Sequence, residues 1–283
     1  MTVDEYYRTL RQRLAAVLPS GEADAAAAIL LEDIGGYSRT KLFTDGDRSI
    51  SDFISAKIDA AAARIIAGEP VQYAVGRALF MGNSYTVTPA VLIPRPETAG
   101  LVDIITDRAA GRSDLRVLDI GTGSGCIAIT LARALPFARV DAVDISAAAL
   151  TVARENAAAL HAHVTFERCD ILHATPPAAP CYDIVVSNPP YVTDSERSGM
   201  DARVLHYEPP SALFVPDNDP LRFYRAIARY AAAALVSGGG LYFEINQNFG
   251  PRMQQLLTDE GYTGIEILRD FRGNNRYAIA VKP

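Results

Sequence analysis

The sequence predicts an α/β fold, with a mostly parallel sheet that closes on an antiparallel strand, behind a small helical bundle and a β-hairpin connector. Three observations predict it. Apolar residues recur at helical spacing over roughly the first 70 residues. From Glu97 onward, short apolar runs alternate with helix-like segments, which calls for parallel strands joined by right-handed crossovers. The closing runs, 264–268 and 277–281, read as a hairpin that reverses the last strand. A chain of 283 residues at 49% hydrophobic has core enough for one ordinary domain and a smaller companion. The expected division is a helical domain at 1–70, a hairpin linker at 71–96 and the α/β domain at 97–283.

In chain order, helices are expected at 3–18, 22–34 and 51–67, broken at Pro19-Ser20-Gly21 and Gly35-Gly36. Leu14, Val17 and Leu18, then Ile29, Leu30 and Ile34, fall at helical spacing and make the bundle's apolar faces. Residues 78–93 alternate around Gly82-Asn83 and read as the hairpin. Arg116-Val117-Leu118-Asp119-Ile120 is the first strand, followed by Gly121-Thr122-Gly123-Ser124-Gly125 and a helix-like run from Cys126 to Ala132. A strand at 139–144, a helix capped by Ser146, a strand at 164–169 and the apolar run Tyr182-Asp183-Ile184-Val185-Val186 come next.

Strand, glycine loop and helix together are the geometry of a nucleotide-type cofactor site, because glycine lets the backbone approach the ligand and adopt positive φ. The spacing discriminates between ligands. A dinucleotide fingerprint needs Gly or Ala three positions after Gly123, where Cys126 stands, and a P-loop needs a lysine that is absent. Gly121, Thr122, Gly123 and Gly125 therefore border a ligand that need not present phosphates. Asp119 stands just before the glycines, where a carboxylate could meet a cation. Asp144 ends the next strand, in the place where an acid bonds ribose hydroxyls in such sheets. Asp170 ends the third, placed for an adenine amino group. Any one of these acids could be a cap or a solvated charge. Their recurrence at three successive strand ends points to an adenosine with a positively charged neighbour, which describes S-adenosylmethionine.

Ser187-Asn188-Pro189-Pro190-Tyr191 directly follows the fourth apolar run. Two prolines forbid both helix and further ladder pairing, so the chain must leave the sheet as a stiff, extended loop. That puts the Asn188 amide, the Pro189 carbonyl and the Tyr191 ring at the carboxyl end of a strand, the edge where open α/β sheets bind ligands. Two fixed acceptors beside an aromatic face suit a planar NH2 group, although an Asn in a Pro-rich turn can also cap its own backbone.

Asp119-Ile-Gly-Thr-Gly-Ser-Gly125 together with Asn188-Pro-Pro-Tyr191 resembles a class I methyltransferase acting on amide or amino nitrogens. Gly68-Glu69-Pro70-Val71-Gln72-Tyr73 and Leu92-Ile93-Pro94-Arg95-Pro96-Glu97-Thr98 narrow the resemblance to the HemK/PrmC family, the protein-(glutamine-N5) methyltransferases of peptide chain release factors. Tyr207-Glu208-Pro209, Gly238-Gly239-Gly240-Leu241 before Glu244-Ile245, and the closing 270–276 match as well. The resemblance implies a Rossmann-like, seven-stranded S-adenosylmethionine-dependent fold and a substrate-docking role for the helical domain. It implies catalysis by Asn188, Pro189 and Tyr191, with Asn188 also touching the cofactor. Asn188 Oδ1 and the Pro189 carbonyl would accept the two amide hydrogens while Tyr191 packs on the flat amide. Pro190, Arg95, Glu97 and Glu208 join them as substrate contacts by the same implication. Arg95 could equally form a structural clamp with a carboxylate, Glu208 could be a rim residue, and Glu244 could be a buried structural acid. The chain departs from the family at Cys169, at Asp217-Asn218-Asp219-Pro220, at Asn246 and at Ala99.

Charge and composition weigh the rival readings. An N6-adenine or N4-cytosine nucleic-acid methyltransferase poses the same geometric problem. A formal net charge of −6 and the lack of a basic stripe speak against it. A ribosomal-protein glutamine methyltransferase shares the motifs, and an inert cofactor-binding adaptor would have no need of Asn188-Pro-Pro-Tyr191. Cys126, Cys169 and Cys181 have no metal spacing, no apolar run approaches a membrane span, and the polar start is no signal peptide. The expectation is a cytoplasmic monomer without metal, stable nucleic-acid binding or membrane contact.

Overall fold

The computed structural model describes residues 1–283, apart from the side chains of Arg39 and Phe43. The chain divides into two units, Met1–Arg77 with Asp201–Tyr207, and Ala78–Met200 with Glu208–Pro283.

The first unit is helical. Helix α1 (Val3–Leu14) opens with a capping box, in which Glu5 N donates to Thr2 Oγ1 at 3.2 Å and Thr2 N to Glu5 Oε2 at 2.9 Å. It stops four residues before the expected end. Val17 N turns to Leu14 O in a tighter 3.1 Å bond, and Pro19 disfavours helical backbone at Leu18. Helix α2 (Ser20–Asp33) starts directly after Pro19. Helix α3 (Arg39–Asp45), capped by Ser38, escaped the sequence reading because seven residues carry little periodicity. Helix α4 (Asp52–Ile66) matches its expected span to within a residue at each end. Leu10, Leu14, Leu30, Leu31, Ile58 and Ile65 form the core of this unit. Helix α5 (Val71–Val75) lies in the stretch expected to be linker. Arg64 holds the turn before it, bonding Glu69 through Nε at 2.6 Å and Nη2 at 2.5 Å and the carbonyls of Tyr73 and Ala74 at 3.2 Å each.

Strands β1 (Arg77–Phe80) and β2 (Asn83–Thr86) form the expected hairpin around Met81-Gly82, both at positive φ, one residue earlier than read. Helix α6 (Pro96–Arg108), β3 (Arg116–Ile120), α7 (Cys126–Ala134), β4 (Arg139–Asp144), α8 (Ala147–Ala159), β5 (Val164–Arg168) and β6 (Tyr182–Ser187) then alternate as predicted. A two-residue parallel pair, β7 (Val192–Thr193) and β8 (Phe214–Val215), closes the base of an excursion that carries α9 (Ala202–Tyr207). Helix α10 (Arg222–Ala234), β9 (Leu235–Glu244), α11 (Gly250–Asp259), β10 (Thr263–Arg269) and β11 (Asn275–Val281) complete the chain.

The main sheet has seven strands in the order β10-β11-β9-β6-β3-β4-β5. Only β11 runs against its neighbours, as the closing hairpin predicted. Adjacent residues of β3 serve opposite faces. Val117 packs with Leu101, Ile105 and Leu131 on the α6–α7 side, and Leu118 with Tyr224, Phe243 and Met253 on the α10–α11 side. Strand β3 is followed on one side by β4 and on the other by β6, a switch point that opens a crevice at the carboxyl ends of these strands. Asn156 of α8 steadies that edge: its amide bonds both backbone groups of Thr86 and the Ser124 carbonyl, so both of its own polar atoms are partnered.

Candidate active site

A cavity opens at that crevice, bordered by the glycine loop, the ends of β4 and β5, the loop after β6, the 90–98 segment and the start of α10. The loop starts by hooking onto β4: Gly121 N and Thr122 N both donate to the Val143 carbonyl, at 2.8 and 3.1 Å. Gly121, Gly123 and Gly125 all take positive φ, and a Cβ on Gly125 would stand 2.8 Å from Ile129.

Two acids hold the loop from opposite sides. Asp119 is fully buried, and its Oδ2 accepts the Thr122 hydroxyl at 2.6 Å and Ala128 N at 3.2 Å. Its Oδ1 is the one buried side-chain polar atom without a partner among the described residues. Burial pushes this carboxyl up to about 7, against the pull of those two hydrogen bonds. Asp144 accepts Gly123 N and Ser146 N, each at 2.9 Å, and burial raises its pKa too. Ser146 Oγ accepts from Ala149 N and caps α8 as expected. At the end of β5, Asp170 takes Leu172 N and the His173 ring, and the His173 bond above all lowers its pKa.

Each strand-end acid is followed by isoleucine, and Ile120, Ile145 and Ile171 all line the cavity. That repeated Asp-Ile pair is the sequence signal that could have found them. Val91, Leu92, Phe223 and Ile227, which line it too, carry no comparable signal.

Across the cavity stand Asn188, Pro189 and Pro190. Ser187 anchors them, its hydroxyl donating to the Ile120 carbonyl at 2.6 Å. Asn188 Nδ2 donates to Thr98 Oγ1 at 3.3 Å. Thr98 donates in turn to Glu244 Oε2 at 2.7 Å, and Tyr191 donates to Glu244 Oε1 at 3.0 Å. Glu244, 1% exposed at the end of β9, has its pKa raised by burial and lowered in part by these hydroxyls.

The structure brings together Gly121, Thr122, Gly123, Asp144, Asp170, Asn188, Pro189, Pro190 and Arg95 on the cavity wall. Asp119 and Gly125 lie behind the wall and shape the loop. Tyr191 is not on the wall either. A half-buried tyrosine hydroxyl needs a partner, and the Glu244 carboxylate draws it away from the face on which it was expected to stack an amide. Arg95 and Glu208 meet each other, with Nη2 2.5 Å from Oε1, while Glu208 Oε2 accepts Ile93 N at 3.3 Å. Glu208 is 3% exposed and off the cavity wall, so the pair is the clamp that fixes the extended approach to α6. Glu97 also lies off the wall; its carboxylate is 3.7 Å from Arg272, and its carbonyl accepts the Tyr277 hydroxyl.

Of the departures, Cys169 lines the cavity, and its N–H donates to the Asp144 carbonyl at 3.0 Å. Asn246 ties the Tyr191 carbonyl to Glu196, and Asp217 accepts from Ser195 N and Oγ, so both fasten the excursion's base. Among the described residues, no three His, Cys, Asp or Glu side chains group as a metal site, and no helix is long and apolar enough to cross a membrane.

Residues 98–213 match the family model for the methyltransferase small domain, and residues 5–76 that for the PrmC N-terminal domain. A release factor glutamine methyltransferase of Bacteroides thetaiotaomicron is 44% identical over 96% of this chain and 97% of its own. One of Flavobacterium psychrophilum is 38% identical over 98% of each. Among solved structures, a 16S rRNA N2 G1207 methyltransferase from Thermus thermophilus, in complex with AdoMet and guanosine, superimposes with a TM-score of 0.53. It is 20% identical, over 73% of this chain and 50% of its own, a likeness of fold.

Proposed function

Because this chain belongs to the release factor glutamine methyltransferase family, we propose that it methylates the side-chain amide nitrogen, N5, of the glutamine in the Gly-Gly-Gln motif of peptide chain release factors, using S-adenosylmethionine. The observation that carries the reading is that Asn188 and Pro189 border the same cavity as the glycine loop, Asp144 and Asp170.

The residues fit this cofactor. Asp119 Oδ1 is a buried carboxylate oxygen lacking a partner, which suits a cationic ligand. Asp144 would take the ribose hydroxyls and Asp170 the adenine amino group, with Ile145 and Ile171 as apolar neighbours of the base. Bound there, S-adenosylmethionine supplies a methyl group already activated by its sulfonium.

The chain's own task is alignment, since an amide nitrogen delocalises its lone pair and makes a poor nucleophile. Asn188 Oδ1 and the Pro189 carbonyl accept the two amide hydrogens, draw electron density onto the nitrogen and turn its lone pair toward the methyl. Transfer would form the N–C bond as the methyl–sulfur bond breaks, with S-adenosylhomocysteine as the leaving group; one amide hydrogen would pass to solvent as a proton, and the other would keep its acceptor. Pro189-Pro190 holds both acceptors on a stiff backbone, so little reorganises during the reaction. The Arg95–Glu208 clamp fixes the segment that leads to Thr98. The first unit is assigned to docking of the release factor, and the protein to work as a cytoplasmic monomer without stable nucleic-acid or membrane binding.

The test is methyl transfer from labelled S-adenosylmethionine to a purified bacterial release factor, with mass spectrometry of its Gly-Gly-Gln loop. One added methyl on that glutamine, absent with Asn188→Ala, is the expected result. Label in RNA, DNA or a ribosomal protein instead would overturn the substrate, and no transfer to any of them would leave a cofactor-binding adaptor.

A further inference from the structure

We propose that Glu244 and Thr98 are positioning residues that fix which end of the Asn188 amide faces the substrate. The inference deepens the reading above and rests on it for the identity of the acceptor amide. It starts from a constraint on protons. A carboxylate can only accept hydrogen bonds, and a hydroxyl has one proton to give. Thr98 Oγ1 lies 2.7 Å from Glu244 Oε2, so that one proton goes to the carboxylate. The side of Thr98 that faces Asn188 then offers only lone pairs. Only a donor can meet it, and the Asn188 atom 3.3 Å away is therefore Nδ2. The other end of the amide, Oδ1, is left as the acceptor end of a side chain that lines the cavity.

The direction matters because an Asn side chain turned end for end has nearly the same shape. Flipped, it would present an NH2 group to the NH2 group of the incoming glutamine, donor against donor. Nothing in Asn188 itself prevents that. The polarity is set at the far end of the chain of bonds, by an acid that lies 146 residues from Thr98 in sequence. The second oxygen of Glu244 is taken by the Tyr191 hydroxyl, and the Tyr224 hydroxyl donates to its carbonyl at 3.0 Å. One carboxylate thus braces both ends of Asn188-Pro189-Pro190-Tyr191, through Thr98 at the first residue and directly at the last.

A merely structural role predicts loss of fold or of affinity when this chain is cut; a positioning role predicts loss of turnover alone. Thr98→Val keeps the shape and removes the proton that sets the polarity. The expected result is a kcat for release-factor methylation about tenfold or more below wild type, with KM for S-adenosylmethionine unchanged. Thr98→Ser, which restores the hydroxyl, should recover most of the loss. A second readout is independent of activity. The Asn188 side-chain NH2 signal, identified by its loss in Asn188→Ala, should exchange its protons severalfold faster in Thr98→Val. Wild-type kcat, a fall in cofactor affinity that accounts for the whole loss, or an unchanged exchange rate would overturn the inference. If wild type transfers no methyl to the release factor, the functional reading falls, and the exchange measurement alone still decides whether Thr98 holds the amide.

Discussion

Asp119 and Glu244 are both acids buried at the carboxyl end of a strand, one on β3 and the other on β9, and their oxygens are used in opposite ways. Glu244 has both oxygens filled by hydroxyls from other parts of the chain, Thr98 and Tyr191. Asp119 fills one with its own loop and leaves the other without a partner. A buried polar atom left unbonded costs free energy that packing does not return, so such atoms are rare and point to a missing partner. The contrast separates a filled brace from an unfilled acceptor: one carboxylate has both oxygens partnered within the protein, and the other keeps one oxygen without a partner among the described residues.

The largest effect should come from removing the brace. Glu244→Ala strands the hydroxyls of Thr98 and Tyr191 in the interior, at about 1–3 kcal/mol each. Equilibrium denaturation should show a loss of about 3 kcal/mol, whereas Asp119→Ala strands one hydroxyl and one backbone N–H but also removes an unpartnered buried oxygen, and should lose less. If the two lose the same, the distinction fails.

Asn188→Ala should leave stability and cofactor affinity in place while kcat falls about a hundredfold, the usual cost of one lost acceptor at such a site. Isothermal titration with the cofactor beside steady-state rates would separate the two.

Asp119 should reveal itself through pH. Its carboxyl has a pKa raised by burial to about 7 from an ordinary 3.8, so the fold binds this proton more tightly than the unfolded chain does. The stability that proton lends the free protein is present in full below about pH 4 and is lost as pH rises through about 7. A cationic ligand favours the ionised form, so affinity for S-adenosylmethionine should rise as pH climbs through about 7, with proton release on binding. Asp119→Asn should weaken binding about tenfold at pH 8 and flatten that rise. An unchanged pH profile in the variant would remove Asp119 from the cofactor's charge. The smallest effect belongs to Ser146→Ala, which removes the cap of α8 at the cavity edge and should cost about 1 kcal/mol by the same denaturation measurement.

The same contrast explains what could be read ahead of the structure. The glycine-loop half of the site is built within short spans: Asp119 holds Thr122 and Ala128, and Asp144 holds Ser146 and, from the loop after the adjacent strand, Gly123. Spacing along the chain encodes such contacts, and the glycine loop and strand-end acids stand where they were expected. The acceptor half is different. The bond from Asn188 to Thr98 spans 90 residues, from Tyr191 to Glu244 53, and from Arg95 to Glu208 113. Tyr191 was therefore expected on the amide and its hydroxyl is found on Glu244; of the two roles open to Arg95, substrate contact or a structural clamp with a carboxylate, the structure shows its bond to Glu208. Helix α3, helix α5 and the excursion that carries α9 were missed for a related reason, being too short for periodicity to stand out.

The order of strands and helices, the glycine loop and the run Asn188-Pro189-Pro190-Tyr191 were determined by the sequence alone. Local sterics and hydrophobic period act over a few residues and leave a readable pattern. Which acid keeps an unpartnered oxygen, and which is filled by Thr98 and Tyr191, was decided only by tertiary structure. Hydrogen bonds between distant segments depend on where the sheet and helices carry their ends, and no local pattern records that.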